Sequence, residues 1–468
     1  MDLQKLTLLE LCDALHAKRL APTELMESVI ARIDATNPDI NAVVAMRDRD
    51  ALIAEARTAG ERIARGEARP LEGIPLGVKD LEDAVGLTTT QGSLPLRDNV
   101  ATGDSTQVER LKAAGAIVVG KTNAPEFGHT AITKNLIYGV TRSPWDLERT
   151  PGGSSGGSAA ALAAGALPLV TASDGGGSIR IPASFTGAFG LKPSFGRVPR
   201  GPFHHWEYGD TSTYGPLTKT VEDGAFFLDL VAGVSPHDPN SLPHPGISYL
   251  DAVRSEPLPP LRIGFSPDLG YSVVQSDIAA AVADAAQTFE KLGHRLTDFV
   301  GGPPQLGREW GIIGAFELAT QLHGYLPEHA GEFGRTFLAG VKTGWHMTPE
   351  AWGRSAELRA ALNEWCAQIF SEFDLIITPT VPYDPPPAKG PFPDETEGRP
   401  QAFAGVASFT IPFNLSWHPA ATVRAGISKM GLPIGLQIVG PRHRDDLVLR
   451  AARAFERECP WHPHWPAI

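Results

Sequence analysis

Thr150-Pro151-Gly152-Gly153-Ser154-Ser155-Gly156-Gly157-Ser158 and, further on, Ser173-Asp174-Gly175-Gly176-Gly177-Ser178-Ile179-Arg180 are the stretches on which the reading of this chain turns. Two glycine-flanked serines, Ser154 and Ser178, stand 24 positions apart, joined by the small-residue run 159–165. Glycine reaches backbone conformations that other residues avoid, so such runs can turn a row of N–H groups inward, where they bind anions. A serine planted in that nest can attack a carbonyl while its neighbours hold the oxyanion. Flexible linkers use glycine runs too. Here, however, the small-residue spacing predicts a helix over 158–164 and the apolar run a strand over 167–172, which makes the glycines part of a rigid site.

Working outward, Ile74, Leu76 and Val78 alternate in a strand pattern that ends at Lys79. Residues 106–114 read as a helix, 116–119 as a short apolar strand of the kind buried in a parallel sheet, and 221–232 as a further helix. This alternation predicts an α/β fold with a sheet covered by helices on both faces. The N-terminal block is helical: Thr7 and Glu10 have capping-box spacing before a helix to about residue 18. A second helix follows Pro22-Thr23, with Leu25, Val29, Ile30 and Ile33 on one face, and 50–65 forms a third. Proline-rich 235–260 and 380–400 read as loops, 274–292 and 350–372 as helices, 433–439 as a strand and 446–457 as a closing helix. No repeat or low-complexity linker marks a boundary. The chain is therefore read as one large domain: a helical part (1–70), the core (71–232), a peripheral helix-and-loop segment (233–400) and a C-terminal part completing the sheet (401–468).

At 468 residues the chain can bury a large core, and its 42% apolar and 20% charged composition is ordinary for a globular protein. A net charge of -12 argues against nucleic acid as a partner, since a phosphate backbone calls for a basic face. Cys12, Cys366 and Cys459 are odd in number and widely spaced, which fits a reducing compartment and no zinc ribbon. The N-terminus lacks a signal-peptide pattern, and no apolar run reaches the ~18 residues of a membrane span. These features predict a cytoplasmic protein with no membrane partner.

Three motifs point elsewhere and are set aside on physical grounds. Gly115–Thr122 matches the P-loop G-x-x-x-x-G-K-[ST] letter for letter, yet Ala116-Ile117-Val118-Val119 is a strand rather than an open loop, and Pro125 follows where a helix should begin. Gly152-Gly153-Ser154-Ser155-Gly156 matches the G-x-S-x-G elbow, but the preceding Trp145–Pro151 is a poor strand. His204-His205 lacks the helix-paired histidines of a metal site. A serine nucleophile still requires a base. Lys79 suits the task, because desolvation on an apolar strand lowers the pKa of lysine, although a strand-end lysine is more often a solvated one.

The order and spacing of several pieces decide between those readings. Gly77-Val78-Lys79-Asp80, Gly120-Lys121-Thr122-Asn123 with Glu126-Phe127, the two glycine–serine runs, Gly190-Leu191-Lys192-Pro193 with Gly196-Arg197, Gly215-Pro216-Leu217 and, within the C-terminal stretch Asn414–Gly440, Gly431–Gln437 together resemble the amidase signature family. The resemblance implies a single large domain with a mixed central sheet, and a Ser–cisSer–Lys triad. By position, Ser178 is the nucleophile, Ser154 the bridging serine after a cis peptide, and Lys79 the base. It also implies an oxyanion hole from the N–H groups of Gly175, Gly176, Gly177 and Ser178, and a buried Asp174–Arg180 pair that shapes the loop. Ser155 is expected to support the cis bond. Neither a metal nor an organic cofactor is implied.

Departures from the family pattern bear on the substrate. Gly175 stands where relatives have a bulky or hydroxyl residue, so the oxyanion loop is expected to be more flexible or more open, and Trp417-His418-Pro419 and Val423-Arg424 replace a common glycine and proline near the acyl pocket. The aromatic segment with Phe203, Trp206 and Tyr208 follows the core motif and, with Trp417, is a candidate pocket lining. The expected function is an amidase, acting as a monomer or homodimer, on a small aryl amide, oligoamide or carbamate. The alternative is the A subunit of a tRNA-dependent amidotransferase, which releases ammonia from glutamine.

Overall fold

The alternating strand before Lys79 and the apolar run after Gly115 become parallel neighbours, Pro75–Lys79 and Ile117–Thr122, in the computed structural model of the chain. It describes residues 2–202, 209–255, 258–462 and 464–468. The strand order of the first sheet section is Val43–Met46, Ile117–Thr122, Pro75–Lys79, Leu169–Val170. The second section runs Leu217–Thr218, Phe189–Lys192, Ala420–Ile427, Pro433–Val439, Leu375–Pro379, Arg262–Phe265, Arg295–Asp298. Parallel and antiparallel pairs occur in both. The sections abut where Leu169–Val170 meets Leu217–Thr218, and the Gly215 N–H donates to the Ala172 carbonyl at 3.2 Å. The helices Arg180–Thr186, Ser276–Ala286 and Asp445–Glu458 pack on Ala420–Ile427, so a mixed sheet flanked by helices forms one α/β domain.

Local signals were sound where a cap or an apolar period was strong. Thr7 Oγ1 accepts from the Glu10 N–H at 3.1 Å and the Thr7 N–H donates to Glu10 Oε2 at 2.8 Å, capping Leu8–His16. The G-K-T of the apparent P-loop lies inside a strand, with Lys121 buried, as the strand reading required. The stretch 233–400, in contrast, is not peripheral. It supplies Arg262–Phe265, Arg295–Asp298 and Leu375–Pro379 to the sheet; Leu375–Pro379 is wholly buried and so carries no alternation by which to recognise it, and the four-residue Arg295–Asp298 is a largely exposed edge strand. Among the described residues, no helix is long and apolar enough to cross a membrane.

The helix Gly156–Ala163 sets the site's position. All eight residues are buried, and a Cβ on Gly157 would lie 2.3 Å from the Asn123 nitrogen. Only glycine lets the helix sit directly against the chain leaving Ile117–Thr122, which brings Ser154 and Ser155 to the end of the neighbouring strand.

Candidate active site

Lys79 ends the Pro75–Lys79 strand and is fully buried. Its backbone N–H donates to Thr171 Oγ1 at 2.9 Å, tying the strand end to the segment that enters the second glycine run. Its Nζ lies 2.9 Å from Ser154 Oγ, 2.8 Å from Ser155 Oγ and 2.9 Å from Ser173 Oγ, with the Ser173 carbonyl at 3.4 Å. These partners are hydroxyls and a carbonyl, with no carboxylate among them. Burial therefore dominates and pushes the Lys79 ammonium down to about 7, against the opposing pull of Glu82 in its ionised form and of Asp174. The solvated reading of this lysine is excluded.

Ser154 follows a cis peptide bond from Gly153 and is buried, whereas Ser178 is half-buried. The Ser155 N–H donates to the Ser178 carbonyl at 3.3 Å, so the two glycine–serine runs lie side by side. Ser154, Ser173, Gly175, Gly176 and Ser178 share the wall of one narrow cleft, which encloses about 540 Å³ including its open mouth.

Asp174 and Arg180 form the expected pair. Arg180 Nε and Nη2 each donate to the carboxylate at 2.9 Å, both residues fully buried. Burial alone would raise the Asp174 carboxyl, but the Arg180 guanidinium and the Asn414 amide hold it far below the usual carboxylate range. The remaining Arg180 donors reach the Thr410 carbonyl at 3.0 Å, Gln437 Oε1 at 2.8 Å and Asn414 Oδ1 at 2.5 Å. The loop before Ser178 is thus tied to the seven-stranded section and its flanking helix.

That tie alters the expected oxyanion hole. The Gly177 N–H donates to Asp174 Oδ1 at 2.7 Å and so points away from a substrate. Among the described residues, no acceptor takes the N–H groups of Gly175, Gly176 or Ser178. Gly175, Gly176 and Ser178 all line the cleft, so three N–H groups of the loop, not four, are left for it.

The aromatic walls came from elements the sequence reading missed. Trp310, on the helix Gly307–Gln321, donates its Nε1–H to the Gly175 carbonyl at 2.9 Å, and its ring is so close that a Cβ on Gly176 would lie 2.6 Å from it. The glycine at 175 therefore leaves the loop braced rather than open. Phe127 stacks on Phe337 at 5.1 Å between centroids, and Tyr214 and Leu81 complete the apolar lining, with Gln91, Arg200 and Ser212 as polar members. Helix Gly307–Gln321 has apolar residues on every side and so shows no amphipathic stripe. Its single tryptophan gave no signal by spacing. Trp310→Ala is expected to lower kcat/KM by about 10²-fold, chiefly through kcat, because a loop shifted by about 1 Å misplaces the oxyanion donors. Steady-state kinetics on an anilide will check this; a change in KM alone would assign Trp310 to binding only.

Other expected pocket residues lie elsewhere. Trp417 stacks on Phe195 at 4.9 Å, beneath the Arg359 guanidinium, in a separate surface pocket with Asp210 and Arg442. His418 is buried against Phe370, and Arg424 lies between Trp145 and Trp465. None of them lines the cleft: Trp417 and His418 follow the helix Ile411–Leu415, and Arg424 lies in the strand Ala420–Ile427. Phe203, Trp206 and Tyr208, with His204-His205, fall outside the described residues. Among the described residues, no group of three or more His, Cys, Asp or Glu is arranged to hold a metal.

A family model described as Amidase matches residues 24–449. An acylamidase of Rhodococcus erythropolis is 36% identical over 487 residues, covering all of this chain and 98% of that protein. The A subunit of the glutamyl-tRNA(Gln) amidotransferase of Chloroflexus aggregans is 34% identical, covering all of this chain and 99% of that one. Among solved structures, a bacterial aryl acylamidase of the amidase signature enzymes superposes with a TM-score of 0.91 at 30% identity, over 98% of this chain and 97% of the other.

Proposed function

The chain belongs to the amidase family and is an amide-hydrolysing enzyme, and from that premise we propose that Ser178 is the nucleophile, Ser154 the proton carrier and Lys79 the base, acting on aryl amides. The observation that carries the roles is a buried amine, pushed toward neutrality and 2.9 Å from Ser154, behind a cleft that Ser154 and Ser178 share. Neutral Lys79 takes the Ser154 proton as Ser154 takes that of Ser178, and Ser178 Oγ bonds to the carbonyl carbon. The N–H groups of Gly175, Gly176 and Ser178 hold the oxyanion. As the C–N bond breaks, the relay returns the proton to the departing amine and leaves an ester on Ser178. Water, giving its proton to the same relay, releases the carboxylic acid and restores the serine.

Phe127, Tyr214 and Trp310 support an aryl or long apolar substrate over acetamide. Oligoamides and carbamates follow the same acyl-transfer route. Similarity to an acylamidase and to an aryl acylamidase supports the same class. The equally long likeness to the A subunit of an amidotransferase keeps glutamine in the test. We read the enzyme as working alone, as a monomer or homodimer, in the cytoplasm, where its three free cysteines stay reduced. The test is a panel of p-nitroanilide, aliphatic amide, carbamate and glutamine substrates given to the purified chain without ATP or partner, with mass spectrometry for an acyl adduct on Ser178. Release of ammonia from glutamine with no turnover of anilides would overturn the aryl-amide reading.

The relay also sets a pH dependence. Only neutral Lys79 can accept a proton, and the neutral form gains as pH rises through about 7. Activity should therefore rise about tenfold per pH unit below that point and level off above it. A folded enzyme whose rate falls steadily above neutrality would contradict the assignment.

A further inference from the structure

Four ionisable side chains are buried at the end of the Pro75–Lys79 strand: Lys79, Asp80, Glu82 and Lys121. Two of them balance. Lys121 has Asp80 as its strongest anionic neighbour, ahead of Asp83 and Glu82, and its Nζ donates to the Glu82 main-chain carbonyl and, at 3.0 Å, to Thr89 Oγ1. Asp80 in turn accepts from the Thr90 N–H at 3.0 Å and from the Thr90 hydroxyl. That leaves Lys79 and Glu82. The Glu82 carboxyl faces helix Thr106–Ala113, where Gln107 Nε2 donates to Glu82 Oε2 at 2.8 Å and the capping Ser105 hydroxyl lies 3.5 Å from the same oxygen. The remaining oxygens of this pair, Glu82 Oε1 and Gln107 Oε1, are both buried with no hydrogen-bond partner within 3.5 Å among the described residues; the Thr171 hydroxyl also faces the Glu82 carboxyl, from beyond that distance, and leaves the amide oxygen unserved.

Two acceptor oxygens left over from one carboxyl–amide pair lack a single hydrogen between them. A carboxylate cannot supply it; a carboxylic acid can, with Oε1–H donating to Gln107 Oε1 and closing a two-bond acid–amide ring. Leaving either oxygen bare would forfeit the hydrogen bonds it makes with water in the unfolded chain. We propose that Glu82 is a positioning residue for the proton relay: held as the neutral acid in a closed ring with Gln107, it denies Lys79 the buried anion that would hold it as an ammonium. Burial likewise raises the Glu82 carboxyl, against the pull of Gln107, Thr171, Lys79 and Lys121. Two buried groups of opposite type thus both stand uncharged, as neutral acid and neutral base. The proposal rests on the reading of Lys79 as the base, and its test separates the two.

The first measurement needs no turnover: an infrared difference spectrum of wild type against Glu82→Gln at neutral pH should show a carboxylic-acid C=O stretch that the variant lacks. Next, Gln107→Glu places two carboxyls where one proton can be shared, adding a negative charge behind Lys79. It should move the acid limb of the pH–rate profile up by about one unit or more. The swap Glu82→Gln with Gln107→Glu rebuilds the ring with its partners exchanged and should bring the limb back. No acid stretch, or an acid limb that moves down by about one unit in Glu82→Gln, would show an ionised Glu82 and overturn the proposal. An acid stretch together with full activity in Lys79→Ala would leave Glu82 neutral and refute the base instead.

Discussion

Replacing Ser178 with alanine is expected to lower kcat/KM by about 10⁵-fold or more on every substrate class and to abolish the acyl adduct, while the fold stays intact. The size follows from the chemistry. Without Oγ there is no covalent intermediate, and what remains is the oxyanion loop and binding, which together leave only a small residual rate over water. The fold should tolerate the change because Ser178 is half-buried and its main-chain carbonyl, not its side chain, bonds to Ser155. Circular dichroism and a thermal melt check the fold, and mass spectrometry checks the adduct. An acylated Ser154 in this variant would reassign the nucleophile to the bridging serine.

The second large effect is expected at Lys79. Lys79→Ala should lose about 10³–10⁴-fold in kcat/KM, the scale of general-base catalysis, or roughly 4–5.5 kcal/mol in the barrier. Lys79→Arg should be as inactive, although it keeps a cation, because guanidinium does not deprotonate in this range and cannot accept a proton. The pair of variants separates a base from a mere positive charge. Stability should hold in the alanine variant, since no ion pair is broken and a buried amine is removed. The pH profile of the residual activity should lose the limb near neutrality. Wild-type rates in Lys79→Ala would sink the relay.

Gly175, Gly176 and Gly177 look alike in sequence, and all three read as oxyanion donors. Only the folded loop distinguishes them, because Asp174 reaches back from three residues away to take the Gly177 N–H at 2.7 Å. The Asp174–Arg180 pair was legible through the family resemblance, which implies it at these two positions on either side of Ser178. The two amides that complete it, Asn414 and Gln437, were legible only as members of a C-terminal match. Trp310 was not legible at all. It meets the glycine loop through a packing of remote elements, and an isolated tryptophan on a helix whose apolar and polar residues are mixed around its circumference has no pattern to betray it. Trp417 and Arg424 show the converse: conspicuous residues beside a matched motif, turned by local geometry onto a different surface.

By itself the sequence determined the family, the α/β class and the residue types of the relay, because these rest on short motifs whose order and spacing survive in one dimension. Whether the Lys79 amine is solvated or buried was decided only by the tertiary structure. Its pKa depends first on desolvation, and the hydroxyls that enclose Nζ stand 75 to 94 positions away along the chain and reach it only when strand, helix and glycine loop close around it.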